Sequence, residues 1–128
     1  MVTLADKIVQ SGDIDVNVPC YNGMNVLLLA CHKKQESIAY YLLEFTDIDY
    51  NEIDDYGNTA LIIACEHNLE KVALHLLCFD DLNYNHANVG GVSALIIACG
   101  NNMESVVFEL LEKKILISIK QTFWVIHP

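Results

Sequence analysis

The sequence predicts an all-α solenoid of stacked helix-turn-helix repeats with projecting hairpin-like loops. Two observations carry that prediction. The chain repeats on a 34-residue step, visible in Gly23, Gly57 and Gly91, in the pairs Ala30-Cys31, Ala64-Cys65 and Ala98-Cys99, and in Leu42-Leu43, Leu76-Leu77 and Leu110-Leu111. Each step also runs through the same series: turn formers, a short apolar run, a break, and an amphipathic run. A unit of this length cannot bury its apolar face alone, so copies stack and share one continuous core.

The elements follow in chain order. Leu4, Ala5, Ile8, Val9 and Ile14 stand one step before Ile38, Ala39, Leu42, Leu43 and Ile48, so the chain opens on the second helix of a half repeat over 1–14. Whole repeats occupy 15–48, 49–82 and 83–116, giving a repeat domain over 1–114 and a tail over 115–128. The middle repeat begins with Asp49 to Asn58, dense in turn formers, where Gly57 supplies a positive φ without a Cβ clash. Thr59 then precedes Ala60 to His67, and its hydroxyl can accept from an orphan N–H of the first helical turn. Asn25 and Ser93 stand at the same position, so the capping chemistry recurs although the residue changes. Asn68 and Asn102 suit the left-handed conformation that ends a helix, and Lys34 is the misfit of the set. In the second helix, Leu69, Val72, Ala73, Leu76 and Leu77 hold the i, i+3, i+4, i+7, i+8 spacing of one buried face.

Asp54-Asp55-Tyr56-Gly57 followed by Thr59-Ala60-Leu61-Ile62-Ile63-Ala64 resembles the ankyrin repeat, whose pattern is D-x-x-G-x-T-P-L-H-x-A and then a second helix ending in Leu-Leu. The stretches Asn88 to Ala98 and Cys20 to Ala30 are the other copies, and the resemblance covers roughly residues 2 to 114. The departures are local. The family's proline is absent, its histidine position holds Leu28, Ile62 or Ile96, and one extra residue lies between Leu77 and Asn83 and between Leu43 and Asp49, read as a longer turn. The histidine is the family's polar bridge between neighbouring loops, which these residues do not supply. The resemblance implies an ankyrin-type array that acts as a non-enzymatic module for protein-protein interaction. It also implies that Asn17, Asn51 and Asn85 occupy the loop position that is hydroxylated in some ankyrin repeats.

Composition narrows the partners. Seventeen carboxylates against seven lysines, with no arginine, give a net charge of −10, which opposes a phosphate backbone and removes the usual bidentate reader of guanine. Nucleic acid is not expected. The stretch Met1 to Asp15 lacks a basic region followed by an apolar core of signal-peptide length, and no apolar run approaches the ~18 residues of a membrane span. No membrane partner is expected, and the reading is a cytoplasmic or nuclear protein. Of the five cysteines, Cys31, Cys65 and Cys99 share one repeat position, which predicts buried, inert thiols between helices and no disulfide framework. His32, His67, His75, His86 and His127 form no H-x-x-x-H pair, and no phosphate loop or nucleophile elbow appears, so neither metal, cofactor nor catalysis is expected.

Arrays of this kind usually bind through loop tips and the exposed side of their first helices. Carried over residue by residue, those positions are Tyr21, Asn22, Met24, His32 and Lys33; Asp55, Tyr56, Asn58, Glu66 and His67; and Val89, Val92 and Asn101, with Gly90 and Gly100 beside them. They vary between repeats while the core positions do not. Tyr21 and Tyr56, at matching tips, bring large rings with a polar handle. Asp47, Asp49, Glu52, Asp54 and Asp55 crowd one stretch and favour a basic protein partner by steering.

The tail breaks the pattern. A fourth repeat would put glycine where Val125 stands, and Ile115 to Pro128 is β-branched and aromatic although a terminal repeat calls for a polar outer face. Three readings are open: a segment folded back as an improvised cap, an exposed docking strand, or the product of an interrupted reading frame in a longer array, which would leave a fragment with no dedicated partner of its own. Folding back would bury Phe123 and Trp124, worth about 4–6 kcal/mol apiece as an upper bound, from ~150–250 Å² each at ~25 cal/mol/Å².

Overall fold

The computed structural model describes residues 16–20 and 23–126, with side chains described as far as Gln121. The half repeat expected over 1–14, the tip residues Tyr21 and Asn22, and the terminal His127 lie outside the described residues, as do the side chains of Phe123 and Trp124.

Three helix pairs follow one another: α1 (Val26–His32) with α2 (Glu36–Phe45), α3 (Ala60–Glu66) with α4 (Glu70–Leu76), and α5 (Ala94–Gly100) with α6 (Glu104–Ile126). The described residues contain no strand; an isolated antiparallel bridge joins Ala87 and Ser93. First helices stack as α1, α3, α5 and second helices as α2, α4, α6, so each pair packs on the next. The result is the two-layered helical solenoid that the 34-residue step predicts.

Local chemistry sets the boundaries. Asn25 and Thr59 cap α1 and α3, their side chains accepting from the N–H groups of Leu28 and Ile62. Ser93 sits at the same place on α5 with an extended backbone, but its hydroxyl makes no capping bond, contrary to the expectation from sequence. Asn68 and Asn102 take the left-handed conformation after the first helices, at φ 58° and 56°, and Lys34 does the same at 58° despite its poorer propensity.

The core is a strip, not a ball. Leu69, Val72, Ala73, Leu76 and Leu77 are all buried, as the spacing predicts, against Leu42, Leu43, Val106 and Leu110 of the neighbouring pairs and the first helices above. Cys31 and Cys65 lie within this strip. Cys99 does not: it is exposed, because no further first helix covers α5. That corrects the expectation of three buried thiols.

The tail is a second correction. Its described backbone neither folds back as a cap nor forms a strand, because α6 runs without a break from Glu104 to Ile126. The first two pairs stop where turn chemistry intervenes: Thr46 Oγ1 donates to the carbonyl of Leu42 at the end of α2, and Cys78-Phe79-Asp80-Asp81 follows α4. The third pair continues as Glu112-Lys113-Lys114-Ile115-Leu116, with no Gly, Pro, Asp or Asn to stop it. Propagation of an existing helix needs no new nucleus, so β-branched residues are carried along. Leu116 therefore stays outside the core, although Leu82 and Ile48, its equivalents one and two steps back, are buried.

Candidate protein-interaction surface

The loops ahead of α3 and α5 are built around one side chain each. In the middle loop the N–H of Asp54 donates to the carbonyl of Asn58 (3.0 Å), and the N–H of Gly57 donates to that of Asp54 (3.0 Å). The Asp54 carboxylate accepts from the N–H groups of Tyr56 and Asn58, both at 2.9 Å, and lies 3.2 Å from His32 Nε2 on α1. Burial would push its carboxyl up, but the two N–H donors with His32 and the Asn58 amide together hold it below the ordinary carboxylate range. In the third loop Asn88 takes the same place, its Oδ1 accepting from the N–H groups of Gly90 (2.9 Å) and Val92 (3.0 Å).

Neighbouring loops are then tied together. The N–H of Val89 donates to the carbonyl of Tyr56 (3.0 Å), Asn88 Nδ2 to Asn58 Oδ1 (2.9 Å), and His86 Nε2 meets the carbonyl of Gly57 at 2.9 Å. Gly57 makes this approach feasible: a Cβ there would lie 3.3 Å from the backbone of Asn88 and Val89, at a φ of +78°. The bridge that the family builds with its helix histidine is supplied here by His86, Asn88 and the His32–Asp54 pair. At the other end of the loops, Asn17 Nδ2 donates to the carbonyl of Asp47 (3.1 Å) while its Oδ1 accepts from the N–H of Asp49 (2.5 Å). Asn51 repeats that clamp one step on, with the carbonyl of Asp81 at 3.0 Å and the N–H of Asn83 at 2.8 Å.

On this braced ladder the expected contact residues divide. Tyr56 and Val89 stand side by side at the tips, 69% and 79% exposed, and Asp55, Lys33 and Glu66 are exposed near them. His32 and His67 are half-buried, their rings edge to face at 6.2 Å. Met24 is buried, yet with His32, Asp54, Asp55 and Tyr56 it lines a cleft of about 390 Å³ between the loop and the first helix. Asn58 and Asn101 serve the scaffold, Asn101 through its amide to the carbonyl of Cys65 at 2.8 Å, and Val92 is half-buried in its loop.

Sequence reasoning missed two things. Asp54 counted only as part of the repeat motif and of an acidic stretch, although its place one step before Asn88 signals a loop organiser. A second groove of about 770 Å³ lies on the opposite layer, between α2 and α4, lined by Tyr40, Tyr41, Phe45, Leu74, His75 and Cys78 among others. The adjacent Tyr40-Tyr41 pair was its available signal. There Tyr40 leans on His75 at 4.7 Å, and His75 Nε2 lies 3.3 Å from a Glu44 carboxylate oxygen.

Burial pushes the thiols of Cys31 and Cys65 up to about 12, so neither is a nucleophile at neutral pH. Among the described residues no three His, Cys, Asp or Glu side chains gather closely enough to hold a metal ion, and no helix is long and apolar enough to cross a membrane.

A family model described as ankyrin repeats (3 copies) matches residues 2–88, more than half of the chain. No curated protein matches it. Ankyrin repeats are generally scaffolds for protein-protein interaction and are typically not enzymes. The matched residues, the stacked helix pairs and the braced loops agree, and the chain belongs to the ankyrin repeat family.

Proposed function

We propose that the chain is a non-enzymatic cytoplasmic or nuclear module that binds a basic protein partner through its loop tips and first helices. One observation carries this reading: Tyr56 and Val89 are held side by side, exposed, by hydrogen bonds that run between loops. A large side chain carried on a backbone braced before binding costs less ordering on docking, which favours a contact hot spot. The cleft beside Tyr56 supports the charge of the partner. Its walls are Met24 and the Tyr56 ring, and its polar groups are His32 and the carboxylates of Asp54 and Asp55. A lysine or arginine side chain fits both, its stem along the apolar wall and its head at the carboxylates.

Within this reading residues 1–114 form the repeat domain and 115–128 an appended apolar segment. Tyr21 and Asn22, at the matching positions of the sequence, belong to the same set of proposed contact residues.

Affinity capture with the full chain tests the proposal when two variants are run beside the parent. A stoichiometric basic partner should be lost with Tyr56→Ala and kept with Tyr40→Ala, which alters the opposite layer. Loss with Tyr40→Ala and retention with Tyr56→Ala would move the binding surface to the α2/α4 groove.

A further inference from the structure

Seven of the large exposed apolar side chains lie on the last helix pair: Ile96 on α5, then Phe108, Leu111, Ile115, Leu116, Ile117 and Ile119 on α6. Five of them form two groups that share Leu111. Ile96, Leu111 and the exposed Cys99 are the positions that the following pair covers in the middle repeat, where Ile62, Leu77 and Cys65 are buried. The second group is a stripe along α6 itself. Phe108, Leu111, Ile115 and Ile119 follow a 3-4-4 spacing, on the side opposite the core-facing Met103, Val106 and Leu110.

Repeat stacking accounts for Leu111 but not for the continuation of the stripe through Ile115 and Ile119. One step before Ile115 and Ile119 stand Asp81 and Asn85, both exposed loop residues, so nothing in the array packs on those positions. A following repeat is also a poor match, because α6 continues through 115–126 as helix where such a repeat would begin its loop. A straight helix with the same spacing matches it, since apolar residues three and four apart interdigitate with their own kind.

Charge points to the same occupant. Glu104, Glu109 and Glu112 are balanced on α6 by Lys113, Lys114 and Lys120, so this helix is neutral and the net −10 resides on the rest of the chain. Two copies repel least when they meet at this face. We infer that the chain forms a two-fold dimer in which α6 pairs antiparallel with α6 of a second copy. The pairing sets Leu111 beside Ile115 of the second copy and Phe108 beside its Ile119. It also lays the overhanging end of each α6 across the Ile96 and Cys99 face of the other, so each copy caps the other's open end.

The area fits a modest interface. A 23-residue helix is ~35 Å long, so a strip ~10 Å wide gives ~350 Å² and the α5 patch adds ~100 Å². Two such faces bury about 900 Å² together, the size of a weak, transient contact, so the dimer is expected to depend on concentration.

Sedimentation of the full chain between about 1 and about 100 µM tests the inference, with two-copy species expected to fade on dilution. Ile115→Lys with Ile119→Lys should weaken the dimer about tenfold or more without loss of helical circular dichroism, since neither side chain touches the core. Ile96→Lys, on the other helix, should weaken it as well, and this variant alone decides if the double variant loses helix. Tyr56→Ala should leave the dimer intact, which separates this face from the loop tips. A single copy at every concentration, assemblies that grow past two copies, or a dimer indifferent to both sets of changes would overturn it.

Discussion

Residues 60–65 and 94–99 are the same six in the same order, Ala-Leu-Ile-Ile-Ala-Cys, and both are short first helices of the array. In α3 every one of the six is buried; in α5 only Ala94 and Ala98 are. Ile62 is 1% exposed and Ile96 58%. The difference does not lie in the helix but in what stands beside it, since α3 has a first helix on both sides and α5 on one. In a solenoid, a repeat's core is half its own and half its neighbour's, so identical local sequence yields unequal burial and unequal stability.

The sharpest way to break the comparison is to cut the same side chain from both copies. Ile62→Ala leaves a cavity between three first helices and should cost about 2–5 kcal/mol. Ile96→Ala removes a side chain already more than half in water and should fall within about 0.5–1 kcal/mol. Urea denaturation of the two variants measures the gap. Equal losses would mean that α5 is covered in solution after all, the result expected only at concentrations where the proposed dimer is filled.

The loops offer the same contrast with a charge added. Asp54 and Asn88 organise their loops by accepting the same two backbone N–H bonds, but only Asp54 titrates. Its carboxyl is held below its ordinary 3.8, so the stability it gives is present above about pH 4 and is lost as pH falls through the lowered folded value. Asp54→Ala should cost about 1–3 kcal/mol near pH 7, by stranding those donors, and the cost should shrink as the parent is acidified. Asn88→Ala should show a loss of similar kind that does not change over the same acid range. Denaturant midpoints at pH 7, 5 and 3 compare them, and parallel pH profiles would remove Asp54 from its assigned role.

What the sequence displays well is what each repeat decides for itself. The buried face Leu69, Val72, Ala73, Leu76 and Leu77, the positive φ of Gly57 and the helix end at Asn68 follow from spacing and backbone preference alone. What it hides depends on residues a full repeat away. Tyr56 and Val89 become neighbours only because loops about 30 positions apart exchange hydrogen bonds, and no local pattern marks a bond to Gly57 from His86. Cys99 looks like Cys65 in every local respect, yet lacks the neighbour that would bury it. The tail is a different case. Its β-branched and aromatic residues left a folded-back cap and an exposed strand open, while Glu112-Lys113-Lys114 offered no stop, and continuation of a packed helix outweighed weak strand propensity.

The smallest expected effects concern the caps, where the three first helices form a graded series. Asn25 is buried and bonds twice, its Oδ1 accepting from the N–H of Leu28 at 3.0 Å and its Nδ2 donating to the carbonyl of Asp49 at 3.0 Å. Thr59 is buried and bonds once, to the N–H of Ile62 at 3.3 Å. Ser93 makes no capping bond. Alanine at each should therefore cost about 2 kcal/mol for Asn25, about 1 for Thr59 and close to 0 for Ser93. If Ser93→Ala costs as much as Thr59→Ala, the hydroxyl of Ser93 caps α5 in solution. The start of α5 would then differ from that of α3 only in lacking a neighbour.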